Sequence, residues 1–145
     1  MQVRDVMTED PACCAPETPI REAAKLMAEC DCGEIPVLDE GERPIGVVTD
    51  RDIACRAVAQ DKSPGTPVRE VMSTPVVTAR PGMSLDECCS LMEDKQVRRL
   101  PVVDESGRCC GMVSQADVAR TAPEHEAAKL LRDVSRPTAE PSRVS

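Results

Sequence analysis

Apolar positions along this chain follow two rhythms, one helical and one extended, and the same succession of rhythms occurs twice. Ile20, Ala23, Ala24, Met27 and Ala28 form a stripe at helical spacing. Thr18-Pro19 precedes it as an expected start, with Thr18 as cap and Pro19 at the first helical position. Leu85, Cys88, Cys89, Leu91 and Met92 make a second stripe, with Ser84 as its expected cap. Ile35-Pro36-Val37-Leu38 and Leu100-Pro101-Val102-Val103 read as apolar strands, whose prolines imply a strand start or a sheet edge. An acidic turn follows each, at Asp39-Glu40-Gly41-Glu42 and at Asp104-Glu105-Ser106-Gly107. The chain is then expected to return antiparallel over 44–48 and 109–113 and to enter helices over 49–59 and 114–120. Short extended segments are expected at 12–15 and 76–79, and one helical turn at 3–7. Residues 61–67 are rich in turn formers and read as a linker. Past Pro123, an amphipathic helix over 124–134 and a disordered tail over 136–145 are expected.

The duplication is gapless. Advanced by 65 positions, Val3-Arg4-Asp5-Val6-Met7-Thr8 falls on Val68-Arg69-Glu70-Val71-Met72-Ser73, and Pro36-Val37 falls on Pro101-Val102. Arg43, Gly46, Val48, Asp52 and Ala54 fall on Arg108, Gly111, Val113, Asp117 and Ala119. A solenoid usually needs three or more repeats, so two copies suggest a pseudo-two-fold pair. The expected organisation is a first unit with its linker at 1–64, a second at 65–122, and a C-terminal extension at 123–145.

Composition narrows the chemistry. The 145 residues lack Phe, Tyr and Trp, so Val, Ile, Leu, Met, Ala and Cys must fill the core, and no ring can stack on a base. The net charge of −8 and the absence of a basic cluster argue against nucleic-acid binding. No apolar run reaches membrane-spanning length and the N-terminus lacks a signal-peptide pattern, so a cytoplasmic protein is expected. The nine cysteines are odd in number, and a disulfide framework is not expected there. Vicinal pairs suit metal ligation poorly, so most read as small core fillers and no metal site is expected. Cys30-x-Cys32 is the pair that invites redox or metal chemistry. One histidine, His125, and no Walker-type loop or nucleophile–base motif argue against an enzyme, and no catalytic residue is assigned.

The stretch Gly46-Val47-Val48-Thr49-Asp50-Arg51-Asp52 and its echo Gly111-Met112-Val113-Ser114-Gln115-Ala116-Asp117 carry the candidate site. Each is a strand that stops at a hydroxyl and turns into a helix, with a carboxylate three residues on. Hydroxyl, helical N–H groups and carboxylate could face a phosphate and a ribose. The same spacing is close to that of a capping box.

The Val-Arg-Asp-Val-Met opening, the Ile/Leu-Pro-Val-Leu/Val-Asp strand and the Gly-Val-Val-Thr-Asp-Arg-Asp ending together resemble tandem CBS domains, or a Bateman module, of the stand-alone two-domain type. The resemblance covers roughly residues 2–120. It implies an α/β (α+β) fold of two β-α-β-β-α units packed sheet to sheet with pseudo-two-fold symmetry. It also implies a non-enzymatic regulatory module, commonly a homodimer, that binds AMP, ADP, ATP, S-adenosylmethionine or NAD in the cleft and signals to a protein target the sequence does not name. No obligatory cofactor is implied. Residue by residue, the resemblance gives a site A of Thr49, Arg51 and Asp52 with Val77, Thr78, Arg98, Arg99, Leu100 and Pro101. A weaker site B comprises Cys13, Cys14, Gly33, Glu34, Ile35 and Pro36 with Ser114 and Asp117. Ala116 replaces the basic residue there, and Glu34 stands where site A has Arg99. The alternative is a cysteine-based module responsive to redox state or metal.

Overall fold

The computed structural model describes residues 1–121; the helix expected over 124–134 and the tail over 136–145 lie outside them. Helix α1 (Ile20–Cys30) and helix α3 (Leu85–Lys95) occupy equivalent places in the two repeats. Helix α3 buries Leu85, Cys88, Cys89 and Met92 of its stripe, whereas α1 buries Ile20, Ala23 and Met27 and leaves Ala24 and Ala28 exposed, because that helix turns a narrower face to the core than the sequence suggests. Their N-termini differ from each other. Ser84 caps α3 as expected: its Oγ accepts from Glu87 N at 3.1 Å, and the Glu87 carboxylate accepts from Ser84 N at 3.4 Å. In α1 the cap position belongs to Pro19, not to Thr18, whose Oγ1 instead accepts from Ala15 N at 3.0 Å. The free N–H groups of α1 are satisfied from the linker: Ile20 N donates to Thr66 O at 2.8 Å and Arg21 N to Pro64 O at 3.1 Å.

Strands β2 (Glu34–Leu38) and β3 (Pro44–Thr49) pair antiparallel, as do β4 (Arg99–Val103) and β5 (Cys109–Ser114). Pro36 and Pro101 lie in mid-strand, where they pair with Val47 and Met112. They are tolerated because the other flank is bridged by one residue only. Cys14 N donates to Pro36 O and Leu38 N donates to Cys14 O, while Ala79 makes the same pair of bonds with Pro101 and Val103. The expected extended segments thus reduce to the single bridging residues Cys14 and Ala79. A two-residue strand β1 (Thr8–Glu9) adds to the outer side of β5, and Ser73 bridges Val47 of β3 in the equivalent position.

After β3 the chain forms one α-helical turn, α2 (Asp50–Asp52), then a wider π-helical turn over Ile53–Ala57 and a 3-10 turn over Val58–Gln60. The continuous helix read over 49–59 is therefore irregular. Its counterpart α4 (Gln115–Thr121) is α-helical throughout.

Two separate aliphatic cores result, and each is completed by the other repeat's opening segment. Val3, Val6 and Met7 pack with Ala79, Leu85, Met92, Leu100 and Val113, whereas Val68, Val71 and Met72 pack with Ile20, Ala23, Ile35 and Val48. Backbone bonds fix the exchange: Val3 N donates to Met83 O and Arg4 N to Pro81 O, while Val68 N donates to Thr18 O and Arg69 N to Pro16 O. Gly46 and Gly111 permit the crossings. A Cβ at Gly46 would stand 2.9 Å from Met72 Sδ and 3.0 Å from Ser73 O, and one at Gly111 would stand 2.8 Å from Met7 Sδ and 2.9 Å from Thr8 O.

Candidate functional site at the ends of the strands

Both hydroxyl-x-x-carboxylate motifs form reciprocal caps. Asp52 N donates to Thr49 Oγ1 at 2.9 Å and Thr49 N to Asp52 Oδ2 at 3.0 Å; Asp117 N donates to Ser114 Oγ at 3.1 Å and Ser114 N to Asp117 Oδ2 at 2.9 Å. The carboxylates are engaged further and unequally. Ser73 Oγ lies 3.0 Å from each oxygen of Asp52, and Arg56 Nε stands 3.7 Å from Oδ1 while its Nη1 donates to Met72 O at 3.2 Å. Asp117 is held instead by the guanidinium of Arg120. With 6 % and 8 % of their surface exposed, Asp52 and Asp117 are buried charges that have found partners.

The helix start is occupied as well. Asp50 N donates to Gly33 O at 3.0 Å, Arg51 N to Asp50 Oδ1 at 2.8 Å, and Gln115 N to Arg98 O at 2.8 Å. The N–H groups that the sequence offered to a phosphate are therefore largely bonded within the protein. Arg51 and Arg98 are exposed and Arg99 is half-buried, so positive charge near the motif resides in these side chains.

Register brings the two candidate sites together. Glu34 pairs with Thr49 and Arg99 pairs with Ser114, so each motif hydroxyl faces the residue assigned to the other site. Glu34 also feels the Arg99 charge. Burial pushes the Glu34 carboxyl up from 4.5 to about 7, Arg99 opposes that rise, and Asp52 and Asp50 add to it. Glu34 Oε2 and Gln115 Oε1 are sealed from solvent, and neither has a hydrogen-bond partner among the described residues. Such orphaned acceptors are rare enough to need a cause.

The remaining assigned residues are more dispersed. Ile35, Pro36, Leu100 and Pro101 are buried in β2 and β4, and Val77 and Thr78 are half-buried beside the Ala79 bridge. Gly33 lies under the Asp50 side chain, where a Cβ would be 3.0 Å from Oδ2. Cys14 is buried next to β2, and Cys13 meets Cys109, five residues before Ser114 and therefore roughly 17 Å up the strand. Sequence reasoning missed Ser73, Arg56 and Gln115. The first could have been noticed because both opening segments end in a hydroxyl, Thr8 and Ser73; the last is simply the repeat counterpart of Asp50.

Cysteine placement matches the filler reading at Cys14, Cys88 and Cys89, which are buried. Cys30 and Cys32 are joined by a disulfide across the end of α1, in a chain expected to carry no disulfide framework. Among the described residues no three His, Cys, Asp or Glu side chains are grouped to hold a metal ion, and no helix is long and apolar enough to cross a membrane.

Two repeats of this fold, with interlocked opening segments and a motif hydroxyl at the end of the strand pair in each, define a paired-repeat α/β domain. The chain belongs to the CBS domain family, whose model matches residues 3–57 and 68–124. It is 44% identical over 126 residues to the CBS domain-containing protein YhcV of Bacillus subtilis, covering 87% of this chain and 89% of that one. Among solved structures, Hypoxic Response Protein I with two coordinated zinc ions superimposes with a TM-score of 0.78 at 33% identity, over 85% of this chain and all of that one. The CBS domain pair of protein MJ0100 in complex with 5'-methylthioadenosine and S-adenosyl-L-methionine gives 0.75 at 29% identity, over 83% of this chain and 94% of that one. CBSX2 in complex with AMP gives 0.73 at 27% identity, over 83% and 95%.

Proposed function

We propose that the chain is a non-enzymatic, cytoplasmic regulatory module that binds an adenosine-type ligand between its two repeats and relays occupancy to a protein target, as a homodimer. The observation that carries this reading is the register that pairs Glu34 with Thr49 and Arg99 with Ser114 and sets Glu34 near Arg99, so that residues of both candidate sites meet where the strands of the two repeats end. Arg51, Arg98 and Arg99 supply cations for phosphate at site A, where site B has Ala116 and Glu34. Phosphorylated ligands such as AMP, ADP or ATP therefore belong to site A, and a ligand without phosphate, such as S-adenosylmethionine, suits site B. The complexes of MJ0100 and CBSX2 with adenosine compounds support the class of ligand.

Titration calorimetry with adenosine, AMP, ADP, ATP and S-adenosylmethionine tests the proposal. Arg51→Ala and Arg99→Ala should each weaken AMP or ATP by about tenfold, as expected for one charge-assisted bond of about 1.5 kcal/mol, and leave adenosine unchanged. Asp52 is a poor target, because its loss would unfold the cap and the Ser73 contact whether or not a ligand binds. Absence of heat and of any melting shift with every compound at millimolar concentration sinks the reading. The zinc ions of Hypoxic Response Protein I give the metal alternative its one support. Native mass spectrometry of reduced protein decides it by the presence or absence of stoichiometric metal.

A further inference from the structure

Cys13 and Cys109 meet across the boundary between the repeats. Cys13 precedes Cys14, which bridges Val37 at the side of β2, and Cys109 opens β5. Their side chains lie against one another, and each thiol also reaches a nearby carbonyl, Cys13 Sγ that of Pro11 at 3.2 Å and Cys109 Sγ that of Gly111 at 3.5 Å. Both are half-buried, so the sulfurs remain within reach of small solutes.

The meeting is held by bonds on either side. Cys109 N donates to Glu42 O at 2.9 Å, and the Arg108 guanidinium stands 3.9 Å from the Glu42 carboxylate. Arg43 Nε reaches Ser106 O at 3.4 Å, passing over Gly107, whose φ of 86° turns the second hairpin toward the first. The two hairpin turns thus clasp each other, and the cysteine pair lies beside the clasp.

Reactivity within the pair is asymmetric. The contact with Cys13 holds the Cys109 thiol down at about 7, while the same contact and burial push Cys13 well above the ordinary thiol range. Cys14, Cys88 and Cys30 are less suited to attack. Burial pushes Cys14 up to about 11 and Cys88 up to about 12, and Cys30 is already bonded to Cys32.

We propose that Cys13 and Cys109 are an oxidation site that forms a reversible disulfide joining the two repeats, with a low-molecular-weight disulfide as oxidant. The Cys109 thiolate attacks one sulfur of that compound, whose S–S bond breaks to release one thiolate. Cys13 gives its proton to solvent and attacks the Cys109 sulfur of the mixed disulfide, expelling the second thiolate. Two protein thiols are oxidised and one small disulfide is reduced to two thiols. The proposal does not depend on any ligand in the cleft.

The test uses the full chain, reduced, freed of reductant and exposed to oxidised glutathione. Free thiols are then blocked with N-ethylmaleimide and the protein is digested with trypsin. The expected product links fragments 5–21 and 109–120, arises in monomeric protein on a non-reducing gel, and disappears on reduction. Cys13→Ser and Cys109→Ser should each abolish the link, whereas Cys14→Ser and Cys110→Ser should leave it. Melting of each reduced variant confirms folding, with Cys13→Ala and Cys109→Ala as substitutes for a serine variant that does not fold. Alkylation of Cys109 near pH 7 should also slow several-fold in Cys13→Ser. A missing link, a link that survives Cys13→Ser, or one confined to covalent dimers overturns the proposal.

Discussion

At the scale of single residues, Glu34 is the most informative side chain. The sequence places it in site B, as a negative charge where site A has Arg99, whereas the fold sets it against Arg99 itself with one oxygen lacking a donor. Its folded-state carboxyl titrates near 7 against 4.5 for the free group, so the folded protein holds the proton more tightly than the unfolded chain. That preference contributes stability on the acid side, and the contribution is lost as pH rises from about 4.5 through 7. Glu34→Gln should therefore change the melting temperature little near pH 4.5 and raise stability at pH 8 by an amount on the order of 3 kcal/mol. Chemical denaturation at the two pH values measures it; an equal effect at both would show that the carboxyl is not perturbed. The Thr49–Asp52 and Ser114–Asp117 spacing was legible because a cap is a local matter of three residues. The Glu34–Arg99 meeting and the Ser73–Asp52 bond were not, because each depends on how distant segments dock.

At the scale of elements, Gly46 and Gly111 do a different job from the one their place in the motifs suggests. Both begin the stretch that carries the candidate ligand residues, yet what they adjoin is Met72-Ser73 and Met7-Thr8 of the crossing segments. A methyl group 3.0 Å from the Ser73 carbonyl cannot be absorbed by a rotamer change, because the obstacle is backbone held by two bonds to Val47. Gly46→Ala should thus destabilise the protein by about 1–3 kcal/mol, the usual range for an overpacked site. Thermal or urea unfolding checks it, and a neutral result would mean that the crossing segment is free to lift. Strands β2 to β5 and both principal helices are readable from periodicity, whereas the two-residue β1 is too short to leave a pattern. The short extended segments were overestimated, because a pair of hydrogen bonds to Cys14 or Ala79 leaves no further register for a strand to extend. The Thr18 cap also failed, since a proline can fill the cap position once carbonyls of the linker accept the helix N–H groups.

For the whole molecule, the exchange of opening segments means that sequence repeat and packing unit do not coincide. Val3 is fully buried among residues of the second core, and its backbone bonds run to Met83. Met1 O also accepts from Leu85 N at 3.3 Å, extending the cap of α3. Cutting the chain at its start therefore damages a structure whose remaining residues begin more than seventy positions later. Removal of residues 1–7 strips the second core of Val3, Val6 and Met7 and leaves the first core intact, since Val68, Val71 and Met72 complete that one. Val3→Ala is the milder form of the same change and should cost about 2 kcal/mol, in the range of a buried aliphatic truncation. Hydrogen exchange resolves where the loss falls. In the variant and the truncated chain, amides of β4, β5 and α3 should exchange markedly faster, while those of β2, β3 and α1 keep most of their protection. Loss of protection first in β2 and β3 would refute the exchange, and equal loss throughout would show that the two cores unfold as one cooperative unit. Reciprocal behaviour is expected of Val68→Ala, which should loosen β2 and β3 and spare β4 and β5. The pair of variants makes each repeat's opening segment a stabiliser of its neighbour, so the repeats hold together through mutual completion of their cores.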